Sequence, residues 1–421
     1  MSSHPEHDRD SPGPELAVNP LFTREPIRIP RDRLPRNELD PQAAYQVVHD
    51  VRCVRMLAGL WHAPDAGRAP GCSTSGSSEA CMLGGLALKR RWQHTHRAAG
   101  RPADRPNIVM GVNTQVCWQK FANYWDVEAR LVPMEGDRFH LSGPAAAQRC
   151  DENTIGVVAI LGSTFDGSYE PVGNICAALD ELHGRTGWDI PVHVDAASGG
   201  MVAPFCDPEL AWDFRLPRVA SINVSGHKYG LVSPGLGWAV WRAADALPED
   251  LVFRVNYLGG EMPTFALTFS RPGSHVVAQY YNFLRLGFDG YRRVQCYSRE
   301  VARGLADRIA ELGPFRLLTR GDELPVLTVA LREDVTAYSV FDVSLELRKS
   351  GWIVPAYTFP ENRTDLAVLR IVVRNGFSHD LAGLLLSDLR RALSRLERQA
   401  APVHGSESAS FAHGAGRRAD R

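Results

Sequence analysis

The sequence predicts an α/β protein, with a mostly parallel sheet in a large domain and a smaller α+β domain after it. Short apolar runs alternate with helical patterns between residues 70 and 242, as in stacked β-α-β units. After residue 273 the pattern changes to a long amphipathic helix, which indicates a second domain. A length of 421 residues exceeds one ordinary domain, so two lobes are expected.

The predicted strands of the large domain are short and apolar on both faces, as expected for strands covered by helices on each side. They span residues 107–112, 155–161, 190–194, 219–224 and 236–241. Between them, Ile175, Leu179 and Leu182 recur at helical spacing inside a segment bounded by Gly173 and Gly187. This spacing predicts a crossover helix.

The second domain begins with one apolar stripe of a long helix, formed by Val294, Tyr297, Val301, Leu305 and Ile309. Strand-like runs at 326–331 and 369–373 follow, and then a helix carrying leucines 385, 389, 393 and 396. We therefore divide the chain into a disordered tail (1–20), an N-terminal segment (21–68), a large domain (69–290), a small domain (291–400) and a flexible tail (401–421).

The composition is that of a globular protein, with 44% hydrophobic and 23% charged residues and a net charge of −1. This balance provides no basic surface for nucleic acid or anionic lipid. No run approaches the roughly 20 apolar residues of a membrane span, and residues 1–14 lack the apolar core of a secretory signal. We expect a cytoplasmic protein without nucleic-acid or membrane partners.

The eight cysteines are scattered singly, without a C-x-x-C pair. That distribution suggests neither a metal site nor a disulfide framework. We expect reduced thiols and no metal.

The strongest functional motif is Ser225-Gly226-His227-Lys228, directly after the strand at 219–224. A lysine at the carboxyl end of a strand in an open α/β sheet reaches a pocket rather than bulk solvent. Desolvation there lowers the pKa of the amine, which then attacks an aldehyde to form a Schiff base. His227 offers a stacking surface for a ring. An isolated motif of this kind is more often an ordinary surface lysine, so the other motifs decide.

A second strand, at 190–194, ends in Asp195 followed by small residues up to Gly200. A carboxylate facing a pyridine nitrogen keeps that nitrogen protonated, so that the ring withdraws electrons. An aspartate after a strand is more often a turn former, and His193 is more often a satisfied core histidine than a base. The spacing between Asp195 and Lys228 favours the functional interpretation.

The third motif, Gly76-Ser77-Ser78-Glu79, begins a helical pattern. Hydroxyls and free backbone N–H groups at a helix N-terminus bind a phosphate dianion. The helix dipole contributes only about 0.3–1 kcal/mol when exposed, so the hydrogen bonds must provide most of the binding. Alone, this motif is merely a helix cap.

Five longer blocks contain these motifs and resemble the glutamate decarboxylases among the group II pyridoxal-dependent decarboxylases. The blocks are GCSTSGSSEACMLGG (71–85), QVCWQKFANYW (115–125), HVDAASGGMVAPF (193–205), SGHKYG (225–230) and YLGGEMPTFALTFSRP (257–272). The resemblance implies the aspartate-aminotransferase-like fold of fold-type I pyridoxal-phosphate (PLP) enzymes. It also implies decarboxylation of L-glutamate to 4-aminobutanoate and CO2 by a homodimer or larger homo-oligomer.

The resemblance also implies roles for individual residues. Lys228, His227 and Asp195 correspond to catalytic residues, and Arg370 to an arginine that handles the substrate carboxylate. The implied ligands of pyridoxal 5'-phosphate are Ser77, Ser78, Gln115, Thr164, Asp195, Ala197, His227, Lys228 and Ser270, with Ser270 lent by the partner subunit.

The chain departs from the family between Asp50 and Arg52, where relatives carry a few dozen further residues that contact the substrate's side-chain carboxylate. An alternative is therefore a cofactor-binding but catalytically silent subunit, and a third is a decarboxylase for another amino acid. Asp166 replaces a usual threonine and is expected to add negative charge near an anionic ligand. In the C-terminal tail, His413 either folds over the active site or belongs to a frayed end.

Overall fold

The structure is a computed structural model that describes residues 34, 53–255, 262–268 and 272–399. The tails at 1–20 and 401–421, the departure at Asp50, Ser270 and His413 lie outside the described residues.

The large domain contains a seven-stranded sheet in the order β1-β7-β6-β5-β4-β2-β3. Only β7 runs antiparallel to its neighbours in this sheet, so the expected mostly parallel sheet is confirmed. The strands are β1 Gly71–Thr74, β2 Asn107–Gly111, β3 Glu128–Val132, β4 Thr154–Ile160, β5 Val192–Asp195, β6 Val219–Ser225 and β7 Gly237–Trp241.

The five strands predicted for this sheet are confirmed to within two residues at each end. The sequence missed β1 and β3, which form the two edges. An edge strand has only one hydrogen-bonded neighbour and tolerates polar residues, and Glu128 at the start of β3 is exposed. A periodicity rule for buried strands therefore overlooks both edges.

Helices cover the sheet and connect its strands. Within the described residues they are α1 Cys53–Leu60, α2 Ser77–Ala98, α3 Val116–Tyr124, α4 Gly143–Arg149, α5 Val172–Thr186, α6 Ala203–Cys206, α7 Ser274–Ala310, α8 Val340–Lys349 and α9 His379–Gln399. The predicted crossover helix is confirmed as α5, which ends at Gly187 with a left-handed φ of 75°. Glycine adopts this conformation without steric cost.

The long helix α7 begins well before the stripe from which it was predicted, and it is interrupted at Gly287, where φ is 58°. Phe283, before the interruption, and Tyr291, just after it, belong to the core of the large domain. Its second part contributes Val301 and Leu305 to a separate core. The domain boundary that we propose between residues 290 and 291 therefore falls inside one helix.

The second core lies under an antiparallel four-stranded sheet in the order β10-β11-β13-β12. Its strands are β10 Phe315–Arg320, β11 Val326–Leu331, β12 Ala356–Thr358 and β13 Ala367–Val372. A short hairpin of β8 Phe253–Val255 and β9 Met262–Thr264 lies between the two sheets in the sequence. No helix among the described residues is both long and apolar enough to cross a membrane.

Candidate active site

Two parallel neighbours in the large sheet, β5 and β6, end at the same edge and bring two predicted site residues there. β5 ends at Asp195, which pairs with Asn223 of β6. β6 ends at Ser225, so Lys228 lies just beyond the end of that strand. Ligands of open α/β sheets bind outside the carboxyl ends of the strands, so this edge is where a ligand is expected.

The carboxylate of Asp195 is buried and receives four hydrogen bonds. Trp118 Nε1 donates at 2.9 Å to one oxygen, and Asn223 Nδ2 donates at 3.0 Å to the other. The backbone N–H of Ala197 donates at 3.2 Å, and the thiol of Cys81 donates at 3.5 Å. These donors hold the carboxylate in one orientation before any ligand binds.

A chain of hydrogen bonds supports Asp195 from behind. Because Asn223 Nδ2 donates to Asp195, the other side-chain atom of Asn223, Oδ1, accepts from His193 Nε2 at 2.8 Å. On the other side of the ring, His193 Nδ1 accepts from the Ser221 hydroxyl at 2.7 Å. Burial lowers the pKa of His193, which agrees with the neutral ring that this pattern requires. A Cβ at Gly84 would lie 2.4 Å from His193 Cε1. His193 is therefore a satisfied core histidine that needs a glycine beside it.

The amine of Lys228 donates to the hydroxyl of Ser198 at 3.2 Å. Protein surrounds the side chain on most sides, but the side chain also lines a cavity, through which solvent reaches the amine. Desolvation lowers the pKa of Lys228. The negative charge of Asp195 raises this pKa and the positive charge of Arg370 lowers it, and the overall shift is downward. A lowered pKa increases the fraction of neutral amine, which is the form that attacks a carbonyl carbon.

The start of α2 approaches the same edge of the sheet. Ser77, the first residue of α2, has its hydroxyl 2.7 Å from the hydroxyl of Ser225. A Cβ at Gly237 would lie 2.5 Å from the carbonyl carbon of Gly76, and a Cβ at Gly76 would lie 3.4 Å from His227 Cε1. The helix start therefore contacts the strand that precedes Lys228.

His227 is half-buried, and its Nδ1 donates to the carbonyl of Leu236 at 2.8 Å. Burial lowers the pKa of this imidazole, and the neighbouring charge of Lys228 lowers it too. The ring is thus held in a fixed orientation beside Lys228. Ser78, the other predicted phosphate ligand, is exposed in the first turn of α2.

Glu79 connects this helix start to the segment that leads toward Ser270. Its carboxylate is 7% exposed and accepts from the backbone N–H and the hydroxyl of Ser75 at 2.7 and 2.8 Å. It also accepts from the backbone N–H groups of Leu267 and Thr268 at 3.0 and 3.2 Å. One carboxylate therefore fixes two separate loops.

Gln115, Thr164 and Arg370 form a third group. Gln115 begins α3 by accepting from the N–H of Val116 at 3.0 Å, and its Nε2 donates to Thr164 Oγ1 at 3.4 Å. The guanidinium of Arg370 donates to the carbonyl of Thr164 and lies 5.6 Å from the centre of the Tyr357 ring. Arg370 on β13 thus joins the small sheet to the large domain.

These groups surround one cavity of about 510 Å³, a volume within the usual range for small-molecule sites. Aspartate and glutamate are absent from its described lining, which includes the cations Lys228, Arg370 and Arg374. The residues that line it are Gln115, Ser163, Thr164, Ser198, His227, Lys228, Tyr229, Leu231, Leu324, Val326, Arg370, Val372, Arg374 and Asn375. The cavity is therefore suited to an anionic ligand.

Alternate residues of the small sheet form one wall of the cavity. Arg370 and Val372 of β13 line it, as the period of two in a strand requires, and Arg374 lines it from two residues beyond the end of that strand. The Nε of Arg370 is buried without a hydrogen-bond partner among the described residues. Seven other buried side-chain atoms among the described residues also lack a partner, so the charge of Arg370 and its place on the cavity, rather than this atom, favour an anionic ligand.

Of the predicted residues, the structure places Gln115, Thr164, His227, Lys228 and Arg370 on the cavity. Asp195 and Ala197 are joined by a hydrogen bond and do not line the cavity, and Ser77 lies beside Ser225. The sequence missed Ser198, Asn223, Trp118, Cys81 and Arg374. The position of Ser198 in the small-residue run after Asp195 was a usable signal, whereas the contacts of Trp118 and Cys81 require the packing of two helices.

Two further observations concern charge and metal binding. Asp166 is buried, accepts from the hydroxyl of Ser168 at 2.7 Å and is absent from the cavity lining. Contrary to the expectation from the sequence, its side chain therefore places no charge on the cavity surface. Cys81, Cys117 and Asp195 bring possible metal ligands within 4.8 Å of one another. Burial raises the pKa of Cys81, and its thiol donates to Asp195 at 3.5 Å.

A larger groove, of about 1170 Å³, lies near the start of the described chain, and its lining includes Cys53, Arg55, Trp238, Arg254 and Phe265. The predicted site residues that the structure describes do not line it. We therefore place the active site at the smaller cavity, where the polar groups converge.

The comparisons with known proteins identify the family of the chain. Residues 40–332 match the family model described as the pyridoxal-dependent decarboxylase conserved domain. A glutamate decarboxylase of Aliivibrio fischeri is 47% identical over 443 residues, covering 92% of this chain and 95% of the relative. One of Solanum lycopersicum is 51% identical over 350 residues, covering 83% and 70%. The first alignment is longer than this whole chain, so that relative carries residues without a counterpart here.

Solved structures give the same result. The glutamate decarboxylase of Lactobacillus brevis superposes with a TM-score of 0.80 and 45% identity, covering 87% of this chain and 84% of that one. A sphingosine-1-phosphate lyase of Burkholderia pseudomallei shares the fold, with a TM-score of 0.69 and 22% identity over 82% and 76% of the two chains. The chain therefore belongs to the pyridoxal-dependent decarboxylase family, within its group of glutamate decarboxylases.

Proposed function

We propose that this protein removes the α-carboxylate of L-glutamate as CO2 and leaves 4-aminobutanoate, with pyridoxal 5'-phosphate bound at Lys228. The observation that carries the proposal is the cavity beside Lys228, which faces three cations and lacks acidic residues in its described lining. A phosphate and a dicarboxylic amino acid together bring several negative charges, and such a lining favours both.

The residues that line the cavity, together with Ser77 and Asp195 near it, fit a phosphorylated pyridine ring. Ser77 and the free N–H groups of α2 offer donors for the phosphate, and His227 offers a face for the ring. Asp195 lies beyond Lys228 and has the charge to hold a proton on a ring nitrogen. When bound, the cofactor supplies an electron sink for the bond that breaks.

Lys228 and Ser198 are the groups best placed to handle protons near the cofactor. The Lys228 amine has a lowered pKa and donates to Ser198, so it holds or releases a proton near neutral pH more readily than an exposed lysine. The aldehyde of the cofactor would reach the amine from the cavity that Lys228 lines.

We assign the substrate carboxylates to the wall formed by β13. Arg370 has an unpartnered buried Nε, and a carboxylate accepts from a guanidinium through two parallel hydrogen bonds. Arg374 lies two residues beyond the end of β13 and lines the same cavity, so it offers a cation for the second carboxylate. That contact would replace those of the segment missing between Asp50 and Arg52.

The test is release of CO2 and 4-aminobutanoate from L-glutamate, with added pyridoxal phosphate, from mildly acidic to neutral pH. We expect turnover in the wild type and its loss in Lys228→Ala, by about 1,000-fold or more. Lys349→Ala, at an exposed lysine of α8, serves as the matched control and should retain activity. A wild type that binds the cofactor and releases no product would instead establish the silent subunit.

We further propose a cytoplasmic homo-oligomer. The resemblance that assigns Ser270 to the partner's active site supports a dimer or larger assembly, and the scattered cysteines support a reducing compartment. Light scattering of the purified protein at micromolar concentration tests the assembly, and a monomeric mass with full activity would refute it.

A further inference from the structure

Two half-buried thiols outside the active site lie unusually close together. Cys206 ends α6 and Cys296 lies in α7, and their sulfur atoms are 2.7 Å apart although 90 residues separate them in the sequence. A disulfide bond is about 2.04 Å long, so a small shift closes the gap. Both thiols are free in the structure.

Aromatic packing holds the two helices in this register. Phe205, the neighbour of Cys206, stacks on Tyr291 of α7 with ring centres 5.2 Å apart and planes inclined by 13°. Phe205 also contacts Phe288 at 5.2 Å. Rigid neighbours of this kind keep the two sulfur atoms opposed, so their approach is a property of the core rather than of two mobile side chains.

An open cavity of about 440 Å³ reaches both thiols. It is lined by Cys206, Cys296, Arg299, Glu300, Arg303, Gly304 and His379. A small reagent can therefore enter and contact either sulfur atom. Burial raises the pKa of the Cys206 thiol to about 12, and the guanidinium of Arg299, which pairs with Asp207 at 2.7 Å, opposes that rise.

A second pair of thiols provides an internal comparison. Cys81 and Cys117 also lie close together, but both are buried, at 0% and 5% exposure, and neither lines the cavity beside Lys228. A soluble oxidant reaches a thiol only through solvent. Access therefore distinguishes Cys206 and Cys296 from that pair.

We propose that Cys206 and Cys296 form a reversible intramolecular disulfide when a low-molecular-weight disulfide oxidises the protein. One cysteine thiolate attacks a sulfur atom of the reagent and forms a mixed disulfide with it. The other half of the reagent leaves as the first thiol. The second cysteine then attacks the attached sulfur and releases the second thiol. Two protons leave the cysteines in total, one S–S bond forms in the protein and the reagent is reduced to two thiols.

The bond would tie the segment after β5 to a helix that supports the loop of Lys228. Gln295, adjacent to Cys296, donates to the carbonyl of Tyr229 at 2.8 Å, and the Tyr291 hydroxyl donates to the carbonyl of Gly230 at 2.9 Å. Oxidation therefore fixes α7 covalently at a point next to the catalytic loop.

The test uses the full chain, fully reduced and then treated with oxidised glutathione. We expect the count of free thiols to fall from eight by two, the intact mass to fall by two hydrogens, and a non-reducing peptide map to show Cys206 linked to Cys296. Dithiothreitol should restore all eight thiols. Cys150→Ser, at a buried cysteine elsewhere, should form the same link.

Cys206→Ser and Cys296→Ser should each abolish the link and leave the remaining cysteine as a mixed disulfide with glutathione. Alkylation of the wild type before and after oxidation provides a readout that needs no variant. The proposal is overturned if both thiols remain alkylatable after oxidation, if only mixed disulfides form, or if Cys81 and Cys117 become linked instead.

Discussion

The two walls of the cavity beside Lys228 differ in how far their polar groups are already satisfied. On the wall of the large sheet, Asp195 receives four hydrogen bonds, and His193 and Asn223 continue the network behind it. On the wall of the small sheet, Arg370 retains a buried Nε without a partner among the described residues. On the first wall, the carboxylate has its hydrogen-bond donors as soon as the chain folds. On the second wall, one guanidinium N–H group has no acceptor among those residues.

This difference indicates which wall binds which ligand. A satisfied network positions a group for a cofactor that stays bound, because no donor has to move when the cofactor arrives. On the wall of the small sheet, Arg370 and Arg374 face the cavity without an acidic residue in its described lining, so an anion that enters the cavity meets two cations. The wall with Arg370 is therefore the one suited to a substrate that binds and leaves in each cycle.

The largest effect should come from removing the negative charge of Asp195 on the wall of the large sheet. Asp195→Asn keeps the shape of the side chain but cannot hold a positive charge on the ring nitrogen, so we expect kcat to fall about 100- to 1,000-fold. KM should change only a few-fold, which steady-state kinetics measures. Asp189→Asn, at an exposed aspartate, is the control. A loss confined to KM would contradict the assignment of the walls.

A smaller effect is expected on the wall of the small sheet. A hydrogen bond to a charged group contributes about 1.5–3 kcal/mol, so Arg370→Met should lower kcat/KM for glutamate about 10- to 150-fold. Absorbance titration should show unchanged affinity for the cofactor. Arg332→Met, at an exposed arginine that pairs with Asp334, should leave both quantities unchanged. If Arg370→Met weakens cofactor binding instead, the two walls do not divide the ligands.

The hydrogen-bond network behind Asp195 should contribute to the stability of the folded protein. His193→Leu leaves Ser221 and Asn223 without their partners at 2.7 and 2.8 Å, so we expect the free energy of unfolding to fall by about 2–4 kcal/mol. Urea denaturation measures this change. His94→Leu, at a half-exposed histidine, should stay within about 0.5 kcal/mol of wild type. Equal stability of the two variants would show that the network contributes nothing.

The smallest effect concerns pH. Burial raises the pKa of Glu170 to about 7, above the value of about 4.3 in an unfolded chain. Its stabilising contribution is therefore complete below about pH 4.3 and is lost as the pH rises toward 7. Relative to Glu170→Gln, wild type should lose roughly 1–3 kcal/mol between pH 4.5 and 7.5.

Urea denaturation across this pH range checks the prediction for Glu170. The difference between the two proteins removes the opposite contribution of His193, whose pKa burial lowers and whose contribution is lost as the pH falls. Glu181→Gln, at an exposed glutamate of α5, should run parallel to wild type. A constant difference between wild type and Glu170→Gln would show that Glu170 keeps an ordinary pKa.

The sequence predicted the central strands, the crossover helix and the residues at the strand ends. These features depend on local patterns, because side-chain periodicity and the residues that follow a strand are set within a few positions of the chain. The motifs at Asp195 and Lys228 could be placed at one sheet edge for the same reason, since parallel strands end together, whereas Ser77 could be predicted only as a helix start.

Only the tertiary structure decided the contacts between elements far apart in the sequence. Trp118 and Asp195 are 77 residues apart, and Cys206 and Cys296 are 90 apart. Whether such side chains meet depends on how helices cross the sheet and on which rotamers the core admits, and no local pattern records either. The orphaned Nε of Arg370 is equally invisible in the sequence, because a missing partner is known only when every neighbour has its place.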